Sequence, residues 1–170
     1  MDIYGVGTKL ATCSGPGGGA LGGVYKLVSV DGVPKFKVTS DIAKATLPGK
    51  KRVLRVLGAD GGLLQDVICL EQDNVCGGDT IYDPCNPLQQ TKLPAQVTFH
   101  ELRRVVMEKG SRTALPETLD AMAERSAGQL AGLPQGCLRF INPHRYKVSI
   151  SAGLNELRNR LIETVRSERA

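Results

Sequence analysis

The chain has 170 residues, 41% of them hydrophobic and 23% charged, with a net charge of +5. That length and balance exclude wholesale disorder and allow one domain, or two small lobes, with a real core. Aromatic residues make up 4% and tryptophan is absent, which argues against base- or sugar-stacking platforms.

The basic residues are scattered among acidic ones. Only Lys50-Lys51-Arg52 forms a run, too little for a nucleic-acid stripe. The five cysteines, Cys13, Cys69, Cys76, Cys85 and Cys137, are odd in number and irregularly spaced, so no disulfide framework is expected. No Cys-x-x-Cys pair points to zinc, and no metal site is expected. Neither a signal peptide nor an apolar run able to span a bilayer is visible, so a reducing cytoplasm is the expected compartment, with no membrane partner.

The first element in chain order is a short apolar stretch running into Gly5-Val6-Gly7-Thr8. Two glycines let the backbone turn its N–H groups onto an anion, and the threonine adds a hydroxyl donor. The loop is a candidate phosphate cradle, with Gly5, Gly7 and Thr8 as the substrate-binding residues; no catalytic residue is assigned. Residues 9 to 23, with their glycine cluster, read as a loop without regular structure, either a mobile substrate loop or a plain linker, and composition favours the linker.

Val24 to Val30 and Val33 to Thr39 read as strands around the two-residue turn Asp31-Gly32, with Pro34 placing the second at an edge. Lysines and a threonine surround Pro48-Gly49 in the next connector, which reads as an anion holder or a solvated link. Arg52 to Leu57 and Leu63 to Leu70 form a second strand pair around Gly58-Ala59-Asp60-Gly61-Gly62. The two hairpins are expected in one antiparallel sheet. Residues 71 to 96, with Pro84, Pro87 and Pro94, read as loop.

From Thr98 the apolar period changes to 3.6. Thr98-Phe99-His100-Glu101 reads as a capping box, Phe99, Leu102, Val105 and Val106 as an apolar face, and Gly110 as the stop. A second helix is expected from Pro116, with Leu119, Met122, Ala123 and Leu130 on its face, ending at Gly132. Two strand-like runs flank Asn142-Pro143. Ser151 caps a last helix with the stripe Leu154, Leu157, Leu161 and Val165. His100 and His144 have no nucleophile or carboxylate at suggestive spacing and read as structural or solvated.

Tyr4-Gly5-Val6-Gly7-Thr8, Leu21-Gly22-Gly23-Val24-Tyr25-Lys26-Leu27-Val28, Lys37-Val38-Thr39, Lys44-Ala45-Thr46-Leu47-Pro48-Gly49-Lys50, the run from Gly77 to Pro84, Val97 to Leu102, and Pro143 to Ser151 occur in that order. Together they resemble the C-terminal part of the nicotinate phosphoribosyltransferase family. The resemblance implies synthesis of nicotinate mononucleotide from nicotinate and phosphoribosyl pyrophosphate, coupled to ATP hydrolysis with Mg, in NAD biosynthesis. It also implies a homodimer when complete.

For the fold the resemblance implies α+β. Residues 1–23 would be the end of a β/α barrel of the type II phosphoribosyltransferase kind, 24–96 antiparallel β hairpins, and 97–170 a C-terminal helical lobe. In the family the threonine of the glycine loop contacts phosphoribosyl pyrophosphate, a role that falls on Thr8. The family's activating histidine and nicotinate-contacting tyrosine and arginine lie upstream of that loop. The expectation is therefore a C-terminal fragment, inactive in isolation. The alternatives are a non-catalytic β-plus-helix module and a charge-driven nucleic-acid binder.

Overall fold

The structure, a computed structural model, describes residues 25–37, 46–86 and 88–167. Its first strands, β1 (Ser29–Val30) and β2 (Val33–Pro34), form a separate two-stranded ribbon. Asp31 and Gly32 both have positive φ, 49° and 80°, as a twist-matched two-residue hairpin turn requires.

The remaining strands are β3 (Lys51–Leu57), β4 (Leu63–Leu70), β5 (Thr80–Tyr82), β6 (Gln90–Lys92), β7 (Thr98–Glu101), β8 (Met107–Glu108), β9 (Ser111–Arg112) and β10 (Val148–Ile150). Two α-helices, α1 (Leu119–Ala131) and α2 (Ala152–Ser167), flank β10, and a 3-10 turn covers Gln135–Leu138. The main sheet has six strands in the order β6-β5-β10-β4-β3-β7. It is mixed rather than purely antiparallel, because β10 lies parallel to β4.

Strand alternation divides the core between the two faces. Leu54 and Val56 of β3, Val67 and Cys69 of β4, and Ile81 of β5 pack with Val75 and Leu93 on one face. Leu70, Ile150 and Leu154 pack on the other, with Ile68, Tyr82 and Leu157 against them. Leu154 and Leu157 belong to α2, so that helix closes the second face. Ser151 caps it as expected, its Oγ accepting from the Leu154 N–H at 3.2 Å.

The expected helix from Thr98 is corrected. Thr98–Glu101 is β7, paired with Leu57 to Leu54 of β3. Phe99 packs on the first core cluster, while Leu102, Val105 and Val106 are exposed. Pairing along an open sheet edge offered more burial than a solitary helix, and tertiary context overrode the local cap signal. Gly110 stops no helix: Lys109 and Gly110, at φ 49° and 81°, form the turn between β8 and β9.

The C-terminal half is accordingly not a helical lobe. β7 and β10 are members of the same sheet as β3 to β6. The stretch 71–96, read as loop, contains β5 and β6. α1 begins after the Thr118 cap, whose side chain accepts from the Ala121 N–H, and none of its residues is buried.

Candidate functional site

Gly5, Gly7 and Thr8 lie outside the described residues. The basic connector before β3 is partly described, and Lys51 does not present a free charge there. Its Nζ donates to the carbonyls of Leu47 at 2.7 Å and Gly49 at 2.5 Å. Burial pulls its pKa below the ordinary lysine value. Thr46 Oγ1 accepts the Lys37 N–H at 3.0 Å. Of the two readings of this connector, an anion holder or a solvated link, Lys51 is thus committed to backbone carbonyls, and Thr46 to the chain at Lys37.

Two charged side chains stand in mid-strand on the face that α2 covers. Arg55 of β3 faces Asp66 of β4 in register. Arg55 Nε and Nη2 donate to the two carboxylate oxygens at 3.0 and 3.1 Å, a bidentate pair. Tyr146, on the chain entering β10, adds its hydroxyl to Asp66 Oδ1 at 3.1 Å. The Asp66 N–H donates to the Lys147 carbonyl at 3.1 Å. Asp66 thus holds the segment before β10 against β4.

The Asp66 hydrogen bond keeps the Arg55 guanidinium above its usual pKa. Burial, followed by the negative charge of Asp66, pushes the Tyr146 phenol up to about 12. A phenol whose pKa rises on folding contributes stability below pH ~10, its unfolded value. That contribution is lost as pH climbs through 10 toward 12. We expect one tyrosine in an absorbance titration to ionise last and to vanish from the curve in Tyr146→Phe. A curve unchanged by the substitution would refute the placement of this phenol.

The N-terminus of α2 is locked in a similar way. Ser151 Oγ donates to Asp73 Oδ2, which also accepts the Leu70 N–H at 3.0 Å. Arg52 Nη2 donates to the Asp73 carbonyl at 2.6 Å. Gly153 lies so close that an added Cβ would crowd the Asp73 carboxylate. One turn later the buried Arg158 donates to the Pro84 carbonyl at 2.8 Å and to Asn155 Oδ1 at 2.9 Å, clamping the helix to the loop after β5. Burial draws its pKa down.

That loop opens a cleft. β10 and β5 share a single pair, Ile150 with Tyr82. Beyond it Asp83 Oδ1 accepts the N–H groups of Cys85 and Asn86 at 2.7 and 2.8 Å, which turns the chain away. Pro84 has no N–H to continue a ladder. The β5–β6 hairpin therefore diverges from the strand-like segment 144–148. Two hollows of about 510 and 450 Å³ lie along the gap and share Thr91, Arg145, Tyr146 and Lys147.

The two expected structural histidines differ in setting. His100 is exposed on β7, opposite Arg55 of β3. His144 borders the 450 Å³ hollow. Its N–H donates to the Gly136 carbonyl at 2.8 Å, and a Cβ at Gly136 would overlap the imidazole Nδ1. Among the described residues no group of three or more His, Cys, Asp or Glu is placed to hold a metal ion. Sequence reading missed the Arg55–Asp66–Tyr146 network. The available signal was a charge in the middle of each of two strands, which demands a partner across the pair.

A family model described as the nicotinate phosphoribosyltransferase C-terminal domain matches residues 50–158. The human nicotinate phosphoribosyltransferase is 38% identical over 167 residues, covering 95% of this chain and 30% of the human protein. The Dictyostelium discoideum protein of the same name is 31% identical over 175 residues, covering 97% of this chain and 29% of its own length. The crystal structure of human nicotinic acid phosphoribosyltransferase superposes with a TM-score of 0.61 at 34% identity, covering 84% of this chain and 27% of that one.

The mixed sheet capped by α2 is thus the C-terminal domain architecture of a phosphoribosyltransferase, of class α+β. The chain belongs to the nicotinate phosphoribosyltransferase family, and it spans about 30% of the length of the curated relatives it matches.

Proposed function

We propose that the chain is the C-terminal part of an enzyme that makes nicotinate mononucleotide from nicotinate and phosphoribosyl pyrophosphate in NAD biosynthesis. The observation that carries this reading is the family match across residues 50–158, the bulk of the sheet and the start of α2. The bond formed joins the pyridine nitrogen to the ribose anomeric carbon. The bond broken releases pyrophosphate from that carbon.

In this reading residues 1–23 end a β/α barrel, and Gly5-Val6-Gly7-Thr8 binds phosphates of phosphoribosyl pyrophosphate. None of the described residues is assigned to Mg or ATP in this reading. In this reading the complete enzyme couples the reaction to ATP hydrolysis with Mg and works as a cytoplasmic homodimer.

Two assays test the reading. The chain alone, given nicotinate, phosphoribosyl pyrophosphate and ATP, forms no nicotinate mononucleotide; product would refute the dependence on the remaining length. In a protein carrying this sequence together with the rest of the family's length, Thr8→Ala weakens phosphoribosyl pyrophosphate binding about ten- to a hundred-fold. That is the loss of one charge-assisted hydrogen bond of about 1.5–3 kcal/mol. Nicotinate binding stays within about twofold. An equal loss for both substrates, or none for either, removes Thr8 from the site.

A further inference from the structure

Residues 102–141, between β7 and the segment entering β10, are built differently from the rest of the chain. α1 has no buried residue. Neither α1 nor the β8–β9 ribbon packs on strands of the main sheet as α2 packs on β4 and β5. The bonds that shape this arm are its own. Arg104 and Arg125 donate to the two carboxylate oxygens of Glu117 at 2.9 and 2.7 Å, and Thr113 Oγ1 donates to the Val105 carbonyl at 2.6 Å.

The apolar side chains of the arm are nonetheless arranged for burial. Leu119, Met122, Ala123 and Leu130 follow one face of α1 at helical spacing, and Glu124 falls on the opposite side. Leu119 keeps 82% of its surface in water. Exposed apolar residues continue on both sides of the helix, with Leu115 before it and Leu138, Phe140 and Ile141 after it. Single exposed apolar residues are ordinary, but a stripe with apolar flanks marks a contact surface. A helix of 13 residues is also at the margin of stability in water, and such helices take their stability from packing. Among the described residues nothing supplies that packing to α1.

We propose that the apolar face of α1 docks on the portion of the enzyme fold that this chain does not span, so that the arm clasps the C-terminal sheet to the rest of the protein. The inference rests on the reading of the chain as the C-terminal part of a longer enzyme. Two arguments select this occupant. The human relative aligns with 95% of this chain but only 30% of its own length, so most of that fold has to meet the C-terminal part on a surface that its own core leaves open. The stripe of α1 is such a surface. A second copy of the chain is the rival occupant, but α1 is only about 20 Å long. Two such stripes fall short of the roughly 1,200 Å² that a stable interface between separate molecules buries. A contact within one chain avoids the cost of association, and smaller areas hold domains together.

Hydrogen exchange at the α1 amides tests this, measured in the chain alone and in a protein carrying this sequence together with the rest of the family's length. In the chain alone α1 is expected to exchange fast, and in the longer protein about tenfold or more slowly. Leu119→Glu combined with Leu130→Glu should return the α1 amides of the longer protein to their rate in the chain alone. Glutamate is a good helix former, so this change removes apolar contact and not helix propensity. Glu124→Gln, on the opposite side of α1, should leave the protection in place. In the chain alone the double substitution should leave the urea midpoint unchanged, because both leucines already face water.

Equal exchange at α1 in the two proteins overturns the proposal, as does protection in the longer protein that survives the double substitution. Protection in the chain alone that grows with its concentration assigns the stripe to a second copy and equally refutes the docking. The enzyme reading is scored separately, by nicotinate mononucleotide formation in the unaltered longer protein. Product with α1 unprotected refutes the docking alone. Protection of α1 without product supports the docking and counts against the enzyme reading. Exchange at the β3 and β4 amides of the same samples confirms that a change at α1 is not a loss of fold.

Discussion

Leu154→Ala is expected to destabilise the chain by about 2–5 kcal/mol, the usual cost of deleting a fully buried leucine side chain. Leu154 is 0% exposed and joins Leu70 and Ile150 in the core on the α2 face, with Tyr82 and Leu157 packed against them. Truncation removes dispersion contacts and leaves a hole that a rigid sheet on one side cannot collapse to fill. Leu157 is only partly buried in the same cluster, so Leu157→Ala should cost less. Urea unfolding followed by circular dichroism measures both. Equal midpoints for the unaltered chain and Leu154→Ala would mean that α2 is not docked on the sheet.

Asp66→Ala is expected to cost about 2–3 kcal/mol, because it strands two groups at once. The Arg55 guanidinium loses its bidentate partner, and the Tyr146 hydroxyl loses its acceptor. The cost stays below that of a fully buried charge, since the Arg55 side chain keeps 21% of its surface in water. The diagnostic is a double-mutant cycle. Asp66→Ala combined with Arg55→Met should be more stable than Asp66→Ala alone, because the unpaired cation is gone. Simple additivity would show that the pair does not interact. Asp66→Ala should also release the Tyr146 hydroxyl from β4.

The two substitutions probe different links of one chain of cause. Leu154 holds α2 on the sheet. α2 in turn carries Arg158, which fixes the loop after β5 through the Pro84 carbonyl. Asp66 fixes the other wall through Tyr146 and the Lys147 carbonyl. The cleft is thus bounded by two segments anchored separately, one by a helix and one by an ion pair.

The sequence by itself determined the features whose causes are local. Asp31-Gly32 dictated a turn because glycine and aspartate reach positive φ at low cost, and the structure has that turn. The alternating runs around Gly58 to Gly62 specified β3 and β4. Ser151 and the leucine stripe specified α2. The ordered motifs also carried the family, which the comparisons establish without any geometry.

Only the tertiary structure decided what depends on partners distant in the chain. Thr98–Glu101 has a helix signal within four residues, but its strand state comes from β3, more than 40 residues earlier. β5 and β6 are three residues each, too short for a periodicity to register, and exist because β10 and each other supply their hydrogen bonds. The apolar face expected on α1 is exposed, since amphipathic spacing states which side can be buried and not what will cover it. Asp66 meets Tyr146 across 80 residues, and Lys92 shares a hollow with Arg145 and Lys147. No spacing rule reaches that far; those meetings follow from parallel pairing of β10 with β4 and from the early parting of β5, which the packed chain alone sets.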